Sequence, residues 1–294
     1  MGLQRRFYLL VNPAAGLRQA DGAAGAIEAE AQAQGLEPIR RDLTAAGDGE
    51  RAARELRGTE SDLVVVGGDG TFNEVLNGAD LARHRLAFFP AGTVNVLAKE
   101  FGIPSRPGRW LRGMRAGRER RFDVALAGTR RWFLVLGAGL DGRVIHEVSR
   151  ARKLRFRFSD YFLPVARAAL DAPRRAVRLE GGGAADGIYQ FVVVGNCTSY
   201  GGPCRFTSRA DPADGWLDVC AMRLGDVNAI FRTGLAALLG RAHACGTVEY
   251  FRTRHLRLSG GGEFYQYDGE AGGGLPVEVR VADERLRLLL PGRD

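Results

Sequence analysis

Leu63-Val64-Val65-Val66-Gly67-Gly68-Asp69-Gly70-Thr71-Phe72-Asn73-Glu74 decides the fold class of this chain. Leu63–Val66 is apolar with no polar alternation, as in a strand buried on both faces of a parallel sheet. The glycines that follow let the backbone approach a ligand closely, and a helical pattern begins at Phe72. Successive N–H groups in such a turn, together with the positive end of the next helix, form an anion-binding surface. Asp69 would repel a polyphosphate, but it suits the magnesium ion that accompanies one.

The same grammar recurs on either side. Phe7–Val11 is a short apolar strand ending in Asn12-Pro13-Ala14-Ala15-Gly16, with a helical stretch through about Gln34. Leu86–Phe89 ends in Pro90-Ala91-Gly92-Thr93-Val94-Asn95, again before a helix. Strand, glycine turn and helix in repetition predict an open α/β sheet with all three turns on one edge, where such sheets bind ligands.

The texture changes after about Asp123. Short strand candidates follow at Trp132–Leu136, Ile188–Val194, Trp216–Met222, Leu256–Leu258, Val277–Val281 and Leu286–Leu290. Helical stretches lie near Asp141–Arg150, Phe162–Leu170 and Val227–Leu239, and Gly181–Gly183 and Gly260–Gly262 read as hairpin tips. This predicts a β-sandwich over 124–290 after an α/β domain over 1–123 whose glycine turns suit a nucleotide, and the last few residues, about 291–294, are open to returning to that first domain.

The chain has 294 residues, 45% hydrophobic and 26% charged, in the range of a globular protein with two cores. Its net charge of +8 is carried by arginine, the only lysines being Lys99 and Lys153. Arg106–Arg121 holds seven arginines and one glutamate, and a second cluster, Arg150–Arg157, lies beside Phe156, Phe158, Tyr161 and Phe162. Each cluster is either a solvated face or a contact with an anionic leaflet, worth about 1 kcal/mol per basic residue. No nucleic-acid-binding motif accompanies the charge. The four cysteines have no metal-ligand spacing and read as free thiols in a reducing compartment. No apolar stretch approaches the length of a membrane span, and the N-terminal apolar run is too short for a signal peptide. The expectation is a cytoplasmic protein.

Three strings in order, NPAAG, GGDGTFNEVLNG and PAGTVNVLAKEFGIP, resemble the signature of the diacylglycerol kinase catalytic superfamily, which includes sphingosine kinases. Gly137-Ala138-Gly139-Leu140-Asp141, the stretch Asp211–Asp218 and Tyr267-Asp268-Gly269-Glu270 resemble its later motifs, so the likeness runs along nearly the whole chain. The resemblance implies an α/β domain followed by a β-sandwich, with the active site in the cleft between them. It implies transfer of the ATP γ-phosphate to a lipid hydroxyl. Asn12, Pro13, Gly16, Gly68, Asp69, Gly70, Thr71, Asn73 and Glu74 would bind ATP, with Thr93 close by. Thr44 is a looser match, one residue short in its spacing to Gly47-Asp48.

By the same likeness Glu270 is the general base, with Asp268 assisting it or holding metal. Asp69 and Asp123 would serve a Mg²⁺ network, and Asp211, Asp214 and Trp216 would hold a structural Mg²⁺, partly through backbone carbonyls. Without the resemblance, Asp268-Gly269 reads as an exposed hairpin turn. In one departure Val96 follows Asn95, where many diacylglycerol kinases carry Asp. The implied partners are a membrane lipid substrate and an anionic membrane surface, bound peripherally. Oligomeric state is open between monomer and homodimer, and no nucleic acid is expected. Two alternatives share the glycine loop: a soluble kinase acting on NAD or a sugar phosphate, and a non-catalytic lipid- or nucleotide-binding protein.

Overall fold

The computed structural model describes residues 5–150, 176–201 and 204–292. They form two compact units, one of 1–124 with 283–294 and one of 125–282. The expected return near 291 is carried instead by the last strand, from Asp283 onward. The helix expected at Phe162–Leu170 and most of the Arg150–Arg157 cluster lie outside the described residues.

The first unit opens with β1 (Arg6–Val11), α1 (Gln19–Ala33), β2 (Pro38–Asp42) and α2 (Asp48–Glu55). Then come β3 (Ser61–Gly67), α3 (Asp69–Gly78), β4 (Arg85–Pro90), α4 (Val96–Phe101), α5 (Pro107–Arg115) and the start of β5 (Arg118–Ala127). Strands β2, β1, β3 and β4 are neighbours in that order and all parallel. The C-terminal part of the last strand joins β4 in parallel at Leu288 and Leu289. Leu63 to Val66 are almost fully buried, as a strand covered on both faces requires. β2 escapes the sequence pattern because its Pro-Ile-Arg-Arg-Asp lies at the sheet edge, where few side chains are buried.

The second unit contains β6 (Arg130–Trp132), β7 (Val135–Gly139), α6 (Leu140–Arg150), β8 (Val177–Glu180), β9 (Gly187–Tyr189) and β10 (Phe191–Gly195). It continues with β11 (Leu217–Met222), α7 (Val227–Leu238), β12 (Val248–Thr253), β13 (His255–Ser259), β14 (Phe264–Tyr267), β15 (Glu270–Gly274) and the first part of β16 (Val277–Leu290). The two C-terminal strand candidates are thus a single long strand. One sheet has the order β12-β11-β10-β7-β14-β15, and its neighbours are antiparallel. The other places β8 between β9 and β13, with β13 against β16. Leu136, Val192, Val194 and Val219 of the first sheet and Leu179, Leu256, Leu258 and Val279 of the second share one buried core, so the unit is an antiparallel sandwich. Gly181–Gly183 does lie between paired strands, β8 and β9. Gly260–Gly262 does not: β13 and β14 belong to different sheets, and the segment crosses from one to the other. Glycine content alone cannot distinguish a hairpin tip from a sheet-changing corner.

Candidate functional site

In the first unit the loops after β1, β3 and β4 are tied together at the C-terminal edge of the parallel sheet. Asn12 donates its main-chain N–H to the Val66 carbonyl (2.9 Å) and its Nδ2 to Thr71 Oγ1 (3.1 Å), and its Oδ1 accepts from Ala14 N (3.1 Å). The amides of Ala91 and Gly92 both donate to the Gly67 carbonyl, at 2.7 and 3.1 Å. A Cβ on Gly92 would lie 2.6 Å from Gly68 Cα, so the second and third loops meet backbone to backbone and no side chain fits there. Asn95, held in the left-handed region at φ 49°, bridges back to Gly92 through Oδ1 and Nδ2.

The acidic residues of the glycine loop brace its neighbours. Asp69 accepts from the first amides of α4, Val96 N at 2.8 Å and Leu97 N at 3.0 Å. Burial pushes its carboxyl above the ordinary range, opposed by those two amides and by nearby Lys99. The contact at position 96 is made by main chain, so the valine that departs from the family pattern leaves it intact. Glu74 accepts from Gly47 N (2.9 Å) and Gly49 N (3.0 Å), around the start of α2. Asp48, which sequence reasoning passed over, takes the amides of Thr44 and Ala45, each at 2.9 Å. These bonds hold its carboxyl low, aided by Arg51.

The expected nucleotide residues therefore separate by exposure. Thr44 and Thr93 are exposed; Asn12, Pro13, Gly16, Gly68, Asp69 and Gly70 are half-buried. Thr71 and Asn73 are buried, and Asn73 Oδ1 accepts from Asn77 Nδ2 at 2.7 Å. Asn73 thus acts inside α3, and its place in the loop motif gives no hint of that. Asp123 pairs with Arg285 at 2.9 Å.

In the second unit Asp268 and Gly269 are the two-residue connection between β14 and β15, with φ 51° and 84°. Positive φ at both positions is the hairpin geometry that Asp-Gly favours. Asp268 Oδ2 accepts from Phe133 N (2.8 Å), and Oδ1 accepts from Leu134 N (2.9 Å) and Val135 N (3.0 Å). Its own amide donates to the Val135 carbonyl at 2.9 Å, and Gln266 Oε1 accepts from Gly269 N at 2.9 Å. The hairpin is thereby anchored to the chain entering β7. Glu270 follows as the first residue of β15, half-buried and opposite Tyr267.

Two family models match in tandem: the diacylglycerol kinase catalytic domain over residues 6–127, and the YegS C-terminal NAD kinase beta sandwich-like domain over 134–290. The chain belongs to the diacylglycerol kinase superfamily of lipid kinases. It is 24% identical to a diacylglycerol kinase of Bacillus subtilis, covering 98% of this chain and 97% of that one. A diacylglycerol kinase of Mycobacterium tuberculosis is 27% identical over 82% of this chain and 80% of its own length. Among solved structures, a diacylglycerol kinase from Bacillus anthracis superposes with a TM-score of 0.70 at 17% identity, covering 97% of both chains. Family membership makes the protein a phosphotransferase, and the superposition independently supports its fold.

In the turn expected to hold a cation, main-chain amides and one arginine meet the carboxylates of Asp211 and Asp214. Asp211 Oδ1 accepts from Ala213 N (3.0 Å), Asp214 Oδ1 accepts from Trp216 N (3.0 Å), and Asp214 Oδ2 is paired with Arg252. Arg252 supplies the positive charge there, and its guanidinium lies over the Trp216 ring at 5.6 Å. A cation on Asp214 would have to displace Arg252. Asp69 and Asp123 are engaged as described above, and among the described residues no group of three or more His, Cys, Asp or Glu is placed to hold a metal.

Proposed function

We propose that this lipid kinase transfers the γ-phosphate of ATP to a hydroxyl of a membrane lipid such as diacylglycerol. The observation that carries the reading is the joining of three loops at one sheet edge, with Gly68 and Gly92 in backbone contact at the start of α3. Phosphoryl transfer asks a protein mainly for positioning and charge stabilisation. The half-buried glycine loop and the N-terminus of α3 offer N–H groups to a polyphosphate, and exposed Thr93 and Thr44 flank them. The loop carboxylates are turned onto backbone amides, which reduces their repulsion of phosphate.

A lipid hydroxyl needs a base, and we assign that role to Glu270, where the hairpin meets β15. Asp268 positions the hairpin and is not itself required to touch the substrate. We assign ATP binding to Asn12, Pro13, Gly16, Thr44, Gly68, Gly70, Thr71 and Thr93, while Asp69, Asn73 and Glu74 support the loop from behind. We also assign the exposed arginines of Arg106–Arg121 to an anionic membrane surface. Among the described residues no helix is long and apolar enough to cross a membrane.

Incubation of the purified protein with labelled ATP and mixed micelles containing diacylglycerol, monoacylglycerol, phosphatidylglycerol or a sphingoid base tests the reading. A labelled lipid, lost in Glu270→Gln, is the expected result. Labelling of NAD or a sugar phosphate with no labelled lipid would overturn it.

A further inference from the structure

Helix α7 buries one face and leaves an apolar stripe on the other. Ala229, Thr233 and Ala237 are 4%, 2% and 0% exposed, and Ala237 and Ile230 pack in the cluster containing Phe191, Phe206 and Met222. Phe231, Leu235 and Leu238 are 72%, 48% and 49% exposed, and Leu239, which caps the helix, is 65% exposed. At about 3.6 residues per turn, positions 231, 235 and 238 fall on one side of the helix and 229, 233 and 237 on the opposite side. Four of the eight large apolar side chains exposed among the described residues are on this one element. Soluble surfaces seldom gather such residues without a partner.

We infer that α7 is a membrane-docking helix that inserts Phe231, Leu235, Leu238 and Leu239 into the boundary region of an anionic bilayer. The inference rests on the lipid-kinase reading, which requires some surface of the protein to meet lipid. Charge selects the occupant. From Val227 to Val248 the sequence contains no Asp or Glu, while Arg232 and Arg241 are exposed beside the stripe. Asp226, just before the helix, is turned onto Ala229 N at 2.7 Å. A second copy packed symmetrically on this face would bring like charges together with no carboxylate between them, whereas an anionic leaflet neutralises them. The helix has 12 residues, too few to span a bilayer, so it lies along the surface.

The test is co-sedimentation of the full chain with phosphatidylcholine vesicles with and without 30% phosphatidylglycerol. Phe231→Ser/Leu235→Ser should weaken binding to the anionic vesicles by about tenfold or more. Its turnover of a water-soluble short-chain lipid should equal the parent's, which also establishes folding. Phe231→Trp should show a blue-shifted emission with anionic vesicles and quenching by brominated acyl chains beyond that of the parent's native tryptophans. Unchanged vesicle binding by the double variant, or absence of such quenching in Phe231→Trp, overturns the inference. So does a parent dimer that the double variant converts to monomer, because a second copy would then cover the stripe. Failure of every lipid to be phosphorylated while quenching persists overturns the kinase reading and leaves the docking surface standing.

Discussion

Replacing Asp268 with asparagine tests whether this carboxylate works as an anchor. It accepts three main-chain amides, from Phe133, Leu134 and Val135, at 2.8, 2.9 and 3.0 Å. Hydrogen bonds to a charged group contribute roughly 1.5–3 kcal/mol each, against about 0.5–1.5 for neutral pairs. In Asp268→Asn the amide oxygen can keep the two bonds now made by Oδ1, each weaker by about 1 kcal/mol. The NH₂ group then faces Phe133 N–H, donor against donor, at a further cost of about 1–3 kcal/mol. Neighbouring bonds are not additive, so the net loss should be about 3 kcal/mol. Asparagine tolerates the positive φ of this turn, so the turn itself is not the variable. For a domain of this size the loss corresponds to a fall in Tm of about 6–12 °C. Thermal unfolding followed by circular dichroism measures it directly. Turnover measured well below the variant's Tm should fall far less than in Glu270→Gln. A Tm within about 2 °C of the parent's would refute the anchoring argument.

Glu270→Gln should lower kcat by about 10²–10⁴-fold with little effect on ATP affinity, as removal of a general base does; steady-state kinetics decide it. Asp69→Ala, which unties the first turn of α4, should cost about 2–3 kcal/mol as well as turnover, read as a shifted urea midpoint. Because burial raises the Asp69 carboxyl in the fold, its proton is held more tightly there than in the unfolded chain. Its contribution is complete below the unfolded value of about 3.9 and declines as pH rises through the raised value. The stability of the parent relative to Asp69→Asn should accordingly be greatest at acid pH and shrink toward neutrality, and a gap that widens with pH would contradict this. Arg252→Ala, which releases Asp214 from its ion pair, should strengthen binding of Mg²⁺ or Ca²⁺ to the Asp211–Trp216 turn in calorimetry.

Much of what could be read from the sequence followed burial, although β5 and β8, with buried Phe122, Val124, Val177 and Leu179, are missing from the strand candidates because arginines interrupt them. β1, β3 and β4 are apolar throughout because both faces are covered, and the glycine turns after them stand out against that background. β2, β12 and β15 expose much of their surface, so Arg40, Glu249 or Gly272 there reads as loop. The site divided along a similar line. Loop identity was legible from Gly, Asn and Pro. The roles of the acidic residues were not, because a carboxylate that binds a ligand and one that binds a backbone amide look alike in a one-dimensional string. Asp48 gave a faint signal, as an acidic residue in the first turn of a helix.

The backbone role of these carboxylates changes the electrostatics of the proposed chemistry. Asp48, Asp69 and Glu74 together accept six main-chain amides within one group of loops. Unpaired, three carboxylates this close to a polyphosphate would oppose its entry. Facing amides in the loop before α2 and at the starts of α2 and α4, they meet partial positive charge and tie the loops together. The close approach of Gly68 to Gly92 is held by the Ala91 and Gly92 amides on the Gly67 carbonyl, and Asp69 adds a second tie between the same loops. Under the proposed function, the carboxylates help to set the geometry, and the glycine loop and the N-terminus of α3 are left to receive phosphate.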